Sequence, residues 1–290
     1  MKILIALSLA LLAMVTVARA AEGKIEVVAA ENFYGNVAQQ IGGDRVSVVS
    51  ILNNPDQDPH LFEVSPAVIR KVAAAQVVLY NGAGYDPWVE QVLSATAKHG
   101  RVAIVAADPM QRKSGDNPHL WYDPATMPAV ARALATALAA ANPAHKDDYA
   151  ARLATFLASL APLDAKIAAV RDKYAGTAVT ATEPVFGNMA QALKLTMANE
   201  RFQVAIMNDT EPSARDIAAF ERDLKDRKVR VLFYNKQAPT KLVQHLIELA
   251  RAVKIPVVGI TETAPVGSSY QDWMLMQLDK TQRALAGPSS

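Results

Sequence analysis

Two histidines in this sequence share one local frame, Asp58-Pro59-His60-Leu61-Phe62 and Asn117-Pro118-His119-Leu120-Trp121. In each, a proline restricts the backbone just before an imidazole, which is how a chain fixes the approach of a metal-ligating nitrogen. Two acids, Glu183 and Glu262, follow short β-branched runs directly. Imidazole nitrogen and carboxylate oxygen together suit a divalent transition cation. Each residue alone has an ordinary reading: a loop histidine at the surface, Glu183 as an acid in a first helical turn, Glu262 as a solvated loop acid. The four acquire meaning through the elements that carry them.

Those elements alternate. Short β-branched strands are expected at Lys24 to Ala30, Arg45 to Leu52, Gln76 to Asn81 and Arg101 to Ala107. Helical stretches lie between them, one opened by Ser65-Pro66 as cap and first turn. The rhythm returns at Thr177 to Thr182, within Phe202 to Met207, at Val229 to Tyr234 and at Pro256 to Thr261, with a final helix over Tyr270 to Leu285. This is the pattern of parallel sheets with crossover helices. Between the two halves, Ala-rich helices run from Asp123-Pro124 to Ala141 and from Asn142-Pro143 to Tyr174. The second would be roughly 45 Å long at 1.5 Å per residue, with a kink expected near Pro162. Such a helix reads as a strut. The expected architecture is therefore α/β: two lobes, each a mostly parallel sheet flanked by helices, joined by a long rigid α-helix. The lobes would be residues 21–142 and 176–290, with 143–175 between them. Ligands of open α/β sheets bind beyond the carboxyl ends of strands, where all four side chains fall, two from each lobe. A buried carboxylate there is costly unless a cation compensates it.

Composition narrows the function classes. Lys2, the apolar run Ile3 to Val17 and Ala18-Arg19-Ala20 read as a signal peptide over residues 1–20, cleaved after Ala20. The run is too short for a bilayer span. Removal of Lys2 and Arg19 leaves 28 basic residues against 28 acidic ones, so no basic field remains for nucleic acid or an anionic membrane. The 290 residues contain no cysteine, which excludes disulfides, thiolate sites, a cysteine nucleophile and a lipid-modified cysteine. A periplasmic protein without a membrane anchor is expected. His99, His145 and His245 lack the Pro-His frame and read as ordinary helix or surface residues. Asn81-Gly82-Ala83-Gly84 lacks the third glycine of a dinucleotide fingerprint and reads as a tight turn. Asp56, Asp58, Glu63, Asp116 and Asp123 gather in the two histidine loops, as loop solubility or as a negative mouth for cations.

Taken with the long helix, these motifs resemble the periplasmic metal-binding proteins of zinc and manganese ABC transporters. The likeness continues in Asn81-Gly82 with Trp88, Asp123-Pro124, Glu211-Pro212-Ser213, Tyr234 to Gln237 and Thr261-Glu262-Thr263. The resemblance implies one divalent metal held between two lobes by His60, His119, Glu183 and Glu262. It also implies delivery by a monomer to an ABC permease with a separate ATPase. In that family the last ligand is usually aspartate, and Glu262 reaches roughly 1.5 Å further. A His-rich loop seen in zinc-specific members is absent here. The third position tends to be histidine in zinc members and glutamate in manganese members. Two imidazoles with two carboxylates suit manganese or ferrous iron, while the Irving–Williams order favours zinc over manganese. Two other functions stay open: a metal-dependent hydrolase with a vacant coordination position, and a receptor for an organic solute, which would place arginine or glycine where the histidines stand.

Overall fold

The computed structural model describes residues 23–56 and 58–287, so the expected leader at 1–20 lies outside the described residues. The first sheet is built from β1 (Ile25–Glu31), β2 (Val46–Leu52), β3 (Val77–Tyr80) and β4 (Val102–Val105), all parallel, in the order β2-β1-β3-β4. The second contains β5 (Ala178–Ala181), β6 (Thr196–Ala198), β7 (Leu232–Asn235) and β8 (Val257–Ile260), again parallel, in the order β6-β5-β7-β8. The two halves thus repeat one topology. In each, the first strand is central and successive strands are added to one side, then the other. The carboxyl edges hold the side chains that matter below.

Helices α1 (Asn32–Gly42), α2 (Pro66–Ala74), α3 (Pro87–Ala95) and α4 (Thr126–Ala141) belong to the first half. The Ser65 side chain accepts from Val68 N and caps α2, with Pro66 in its first turn. In the second half are α7 (Gly187–Ala192), α8 (Glu200–Met207), α9 (Ala214–Lys225), α10 (Lys241–Ala252) and α11 (Tyr270–Ala286). The strand expected within Phe202 to Met207 is instead part of α8, and the edge strand β6 lies upstream at Thr196–Ala198. Asn199 turns left-handed (φ 59°) and opens the helix. Phe202 then packs on Phe220 of α9, and Gln203 Nε2 donates to Ala198 O. The run is apolar nearly throughout, so periodicity alone does not separate a strand from a short buried helix.

The connecting segment resolves into α5 (Lys146–Ser159) and α6 (Ala161–Tyr174), which meet at Leu160. Pro162 sits in the first turn of α6, where its missing N–H costs nothing. Apolar side chains recur in a four-three alternation through the junction: Tyr149, Leu153, Phe156, Leu160, Leu163, Ile167, Val170. All are buried or half-buried. By length and composition Pro143–Tyr174 could cross a membrane, but this stripe faces the interior. The α5 part packs on α1 and α4, the α6 part on α11.

One hydrophobic core runs through both halves, with a smaller cluster on the outer face of each sheet. Its middle is aromatic. Phe33 of α1 stacks on Trp273 of α11 at 5.7 Å and touches Trp121, while Tyr122 meets Phe186, which stacks on Phe233 of β7. Polar contacts cross the same boundary. Asn32 donates from Nδ2 to Ala264 O and accepts from Ala264 N, and Tyr270 donates to Trp121 O.

Candidate metal centre

His60 is presented by a single 3-10 turn, Pro59–Leu61, capped by Asp58, whose Oδ1 accepts from His60 N at 2.9 Å. His119 immediately precedes a second such turn, Leu120–Tyr122, and Asn117 Oδ1 accepts from its backbone N–H. The shared sequence frame is thus a shared structural device, an Asx acceptor two residues before the imidazole. Asn117 Oδ1 also lies 2.7 Å from His119 Nδ1. With the Nδ1 proton committed there, the Nε2 lone pair faces the cleft.

The cleft side of both imidazoles points at one carboxylate. His60 Nε2 and His119 Nε2 each lie 3.4 Å from Glu262 Oε2, and one ligand atom from each of these three residues falls within 4.8 Å of the others. Glu262 follows β8, so donors from both halves converge. Glu183, just after β5, is outside this triplet but adjoins it through Asn235. Asn235 Nδ2 donates to Glu183 Oε2 at 3.0 Å and to Glu262 Oε1 at 2.5 Å. His99 and His245 lie elsewhere, His245 beside Glu221 at the surface, and His145 sits beside Asp148.

Three residues of the site are not singled out by residue type: Asn235, Tyr85 and Gln237. Tyr85 donates to Glu262 Oε2 at 3.0 Å, and Gln237 Oε1 accepts from Glu262 N. Tyr85 is carried by the Asn81-Gly82-Ala83-Gly84 turn, closed by Tyr85 N to Gly82 O. Gly82 has φ 72°, and a Cβ there would lie 2.5 Å from Val105 Cγ1, so glycine is required.

Burial sets the electrostatics. Glu262 and His119 are wholly inaccessible and Glu183 nearly so, leaving the partly exposed His60 at the mouth. Burial disfavours the Glu262 anion, but the neighbouring His119 and His60 imidazoles outweigh it and hold Glu262 well below the usual carboxylate range. Burial likewise opposes protonation of His60, yet the bond to Glu262 and its charge push His60 up to about 9. His119, more deeply buried, is pushed down. Burial and the neighbouring Glu262 charge raise Glu183 to about 7. Asp58 at the mouth is raised by burial and by Glu262 and Asp209, so the entrance carries negative potential.

Two ligand-type atoms of the site, His119 Nε2 and Glu183 Oε1, are buried without a hydrogen-bond partner. A divalent cation bound by nitrogen and oxygen would satisfy both. The two imidazole-to-Glu262 separations, 3.4 Å each, also fit. A tetrahedron drawn at zinc-like ligand distances of about 2.0–2.1 Å has edges of about 3.3–3.4 Å.

The family described as zinc-uptake complex component A, periplasmic, matches residues 27–284. This chain belongs to that family. A putative metal-binding protein of Treponema pallidum (strain Nichols) is 25% identical over 90% of this chain and 87% of its own length. The manganese ABC transporter substrate-binding lipoprotein PsaA of Streptococcus pneumoniae is 24% identical over 93% of this chain and 92% of its own. Among solved structures, the periplasmic zinc-binding protein TroA from Treponema pallidum superposes with a TM-score of 0.77 at 20% identity, covering 91% of this chain and 99% of TroA. A manganese-bound periplasmic metal-binding protein from Candidatus Liberibacter asiaticus gives 0.73 at 18% identity, over 90% and 100%. These likenesses agree with the family's two-lobe α/β architecture.

Proposed function

We propose that the chain is the extracytoplasmic substrate-binding component of a metal ABC transporter. It captures one divalent transition ion with His60, His119, Glu183 and Glu262 and hands it to a permease driven by a separate ATPase. Residues 143–175 act as the strut between lobes 21–142 and 176–290. The observation that carries this reading is the convergence of two imidazole nitrogens on one buried carboxylate contributed by the other half of the chain. The stranded Glu183 Oε1 supplies the fourth donor.

No chemistry follows capture. A hydrolase needs a vacant metal position and a carboxylate base beside it. Here the fourth position falls to Glu183, and Asp58 at the mouth is engaged with the backbone of His60. The leader at 1–20 would direct export, with cleavage after Ala20. Several relatives are named lipoproteins, but these 290 residues hold no cysteine to carry a lipid. A soluble periplasmic monomer is part of this proposal.

The test is thermal. Dialysed protein should melt several degrees higher with added zinc or manganese, because the ion binds the folded state alone. The double variant His60→Ala, His119→Ala should lose that shift. A shift retained in the double variant rejects the site.

A further inference from the structure

The amide of Asn235 occupies a position that ligand counting alone overlooks. Its orientation is fixed from both ends: Oδ1 accepts from Gln237 N at 2.9 Å, and Nδ2 donates to one oxygen of each acid. Glu262 Oε1 and Glu183 Oε2 are thereby occupied by N–H protons. Glu262 Oε2, which faces both imidazoles and also accepts from Tyr85 at 3.0 Å, and the unpartnered Glu183 Oε1 remain as donors. Each carboxylate can then present a single oxygen.

From this we infer that Asn235 is a specificity-determining residue, which holds both acids monodentate and so sets the captured ion to four-coordinate geometry of the zinc type. The inference rests on the capture reading above. Zinc in closed sites is almost always tetrahedral, whereas manganese favours six donors. Two further donors would have to come from the second carboxylate oxygens or from water. Asn235 ties down the former. The burial of His119, Glu262 and Glu183 leaves only the His60 side open to the latter. Among the described residues His60, His119 and Glu262 form the close cluster, and Glu183 is the acid that Asn235 ties to it. A glutamate in the third position would by itself leave manganese favoured; the amide between the acids shifts the choice.

The experiment uses cobalt(II) as a coloured probe in the metal-free full-length protein. Wild type should give the intense visible bands of four-coordinate cobalt, discharged by one equivalent of zinc. Asn235→Ala and Asn235→Asp free the second oxygens; Asn235→Asp keeps the acceptor for Gln237 N, so the loop holds. Both should give weak, six-coordinate-like bands, and the zinc-over-manganese ratio in direct competition should fall roughly tenfold or more. Cobalt that binds wild type in a His60- and His119-dependent way but with weak bands overturns the role of Asn235 and leaves capture standing. Unchanged bands and an unchanged ratio in both variants do the same. If wild type takes up neither cobalt nor zinc, the capture reading falls and this inference with it. Weak bands in wild type overturn the inference even where neither variant folds.

Discussion

Asn117 sets both the tautomer of His119 and its distance from the opposite half of the chain. Its Oδ1 lies 2.7 Å from His119 Nδ1, while its Nδ2 donates to Pro184 O at 2.8 Å, one residue beyond Glu183. Replacing Asn117 by alanine leaves Nδ1 without its acceptor and frees the ring to turn. The expected result is a loss of about 10–100-fold in zinc affinity with little change in the metal-free melting temperature. Titration calorimetry of Asn117→Ala against wild type checks it. Asn117→Asp, which keeps the acceptor, should recover most of the loss.

Metal capture should release protons in a pH-dependent number. His60, pushed up to about 9, is protonated through neutrality, and Glu183, raised to about 7, titrates within the working range. His119 is pushed down and already neutral, and Glu262 is held ionised, so neither contributes. About one proton per ion should be released at pH 8, from His60, and about two at pH 6, when Glu183 is also protonated. Apparent affinity therefore weakens on acidification, more steeply below pH 7 than above it. Calorimetry in buffers of different ionisation enthalpy counts the protons, and a binding heat that ignores the buffer contradicts the assignment.

The parallel sheets are legible in the sequence because each strand is a β-branched run bounded by caps and turns, as with Arg45 to Leu52 before the loop to Ser65-Pro66. Phe202 to Met207 is misread because a six-residue apolar run has no decisive period, and a left-handed Asn199 is visible only in the backbone. The connecting segment reads from its alanines as one helix kinked near Pro162, and α5 and α6 meet at Leu160. At the site, the Pro-His frame exposes both imidazoles. Glu262 departs by its reach from the family's usual aspartate, yet it is the acid both imidazoles face, and Glu183 is the one set apart. Asn235 and Tyr85 carry no charge, and their partners lie 52, 27 and 177 positions away. Asn235 lies in the family-like segment Tyr234 to Gln237 and Tyr85 shortly after Asn81-Gly82, but nothing local gives either a role at the site.

The shared core predicts that the two halves unfold together. Trp273 of α11 is fully buried and packs against Phe33 of α1 and Tyr122, so it belongs to both lobes at once. Trp273→Ala should cost about 3–5 kcal/mol through lost burial and the cavity left behind. Trp273→Phe should cost much less. Urea unfolding should show one transition displaced as a whole. A split transition, with one half keeping its original midpoint, would show that the lobes are energetically separate.

A buried acid pair behind the site predicts an unusual pH dependence of stability. Glu31, at the carboxyl end of β1, is wholly inaccessible, and neither of its oxygens meets an N–H or hydroxyl donor. Its neighbour Asp86 accepts from Asn81 N at 2.6 Å and Gly82 N at 2.8 Å. Burial, then the charge and hydrogen bond of Asp86, push Glu31 well above the ordinary glutamate range. Glu31 is therefore the partner that keeps a proton and donates it to Asp86. A group whose folded pKa is raised adds stability in full below its unfolded value and loses it as pH climbs toward the folded one. Above an unfolded value of about 4.3 the wild type must bind a proton on folding, at about 1.4 kcal/mol per pH unit. Glu31→Gln keeps a donor toward Asp86 and needs no proton. The metal-free proteins should melt together near pH 4, and the glutamine variant should melt progressively higher as pH rises above the unfolded glutamate value. A difference in melting temperature that stays constant with pH would place the proton elsewhere.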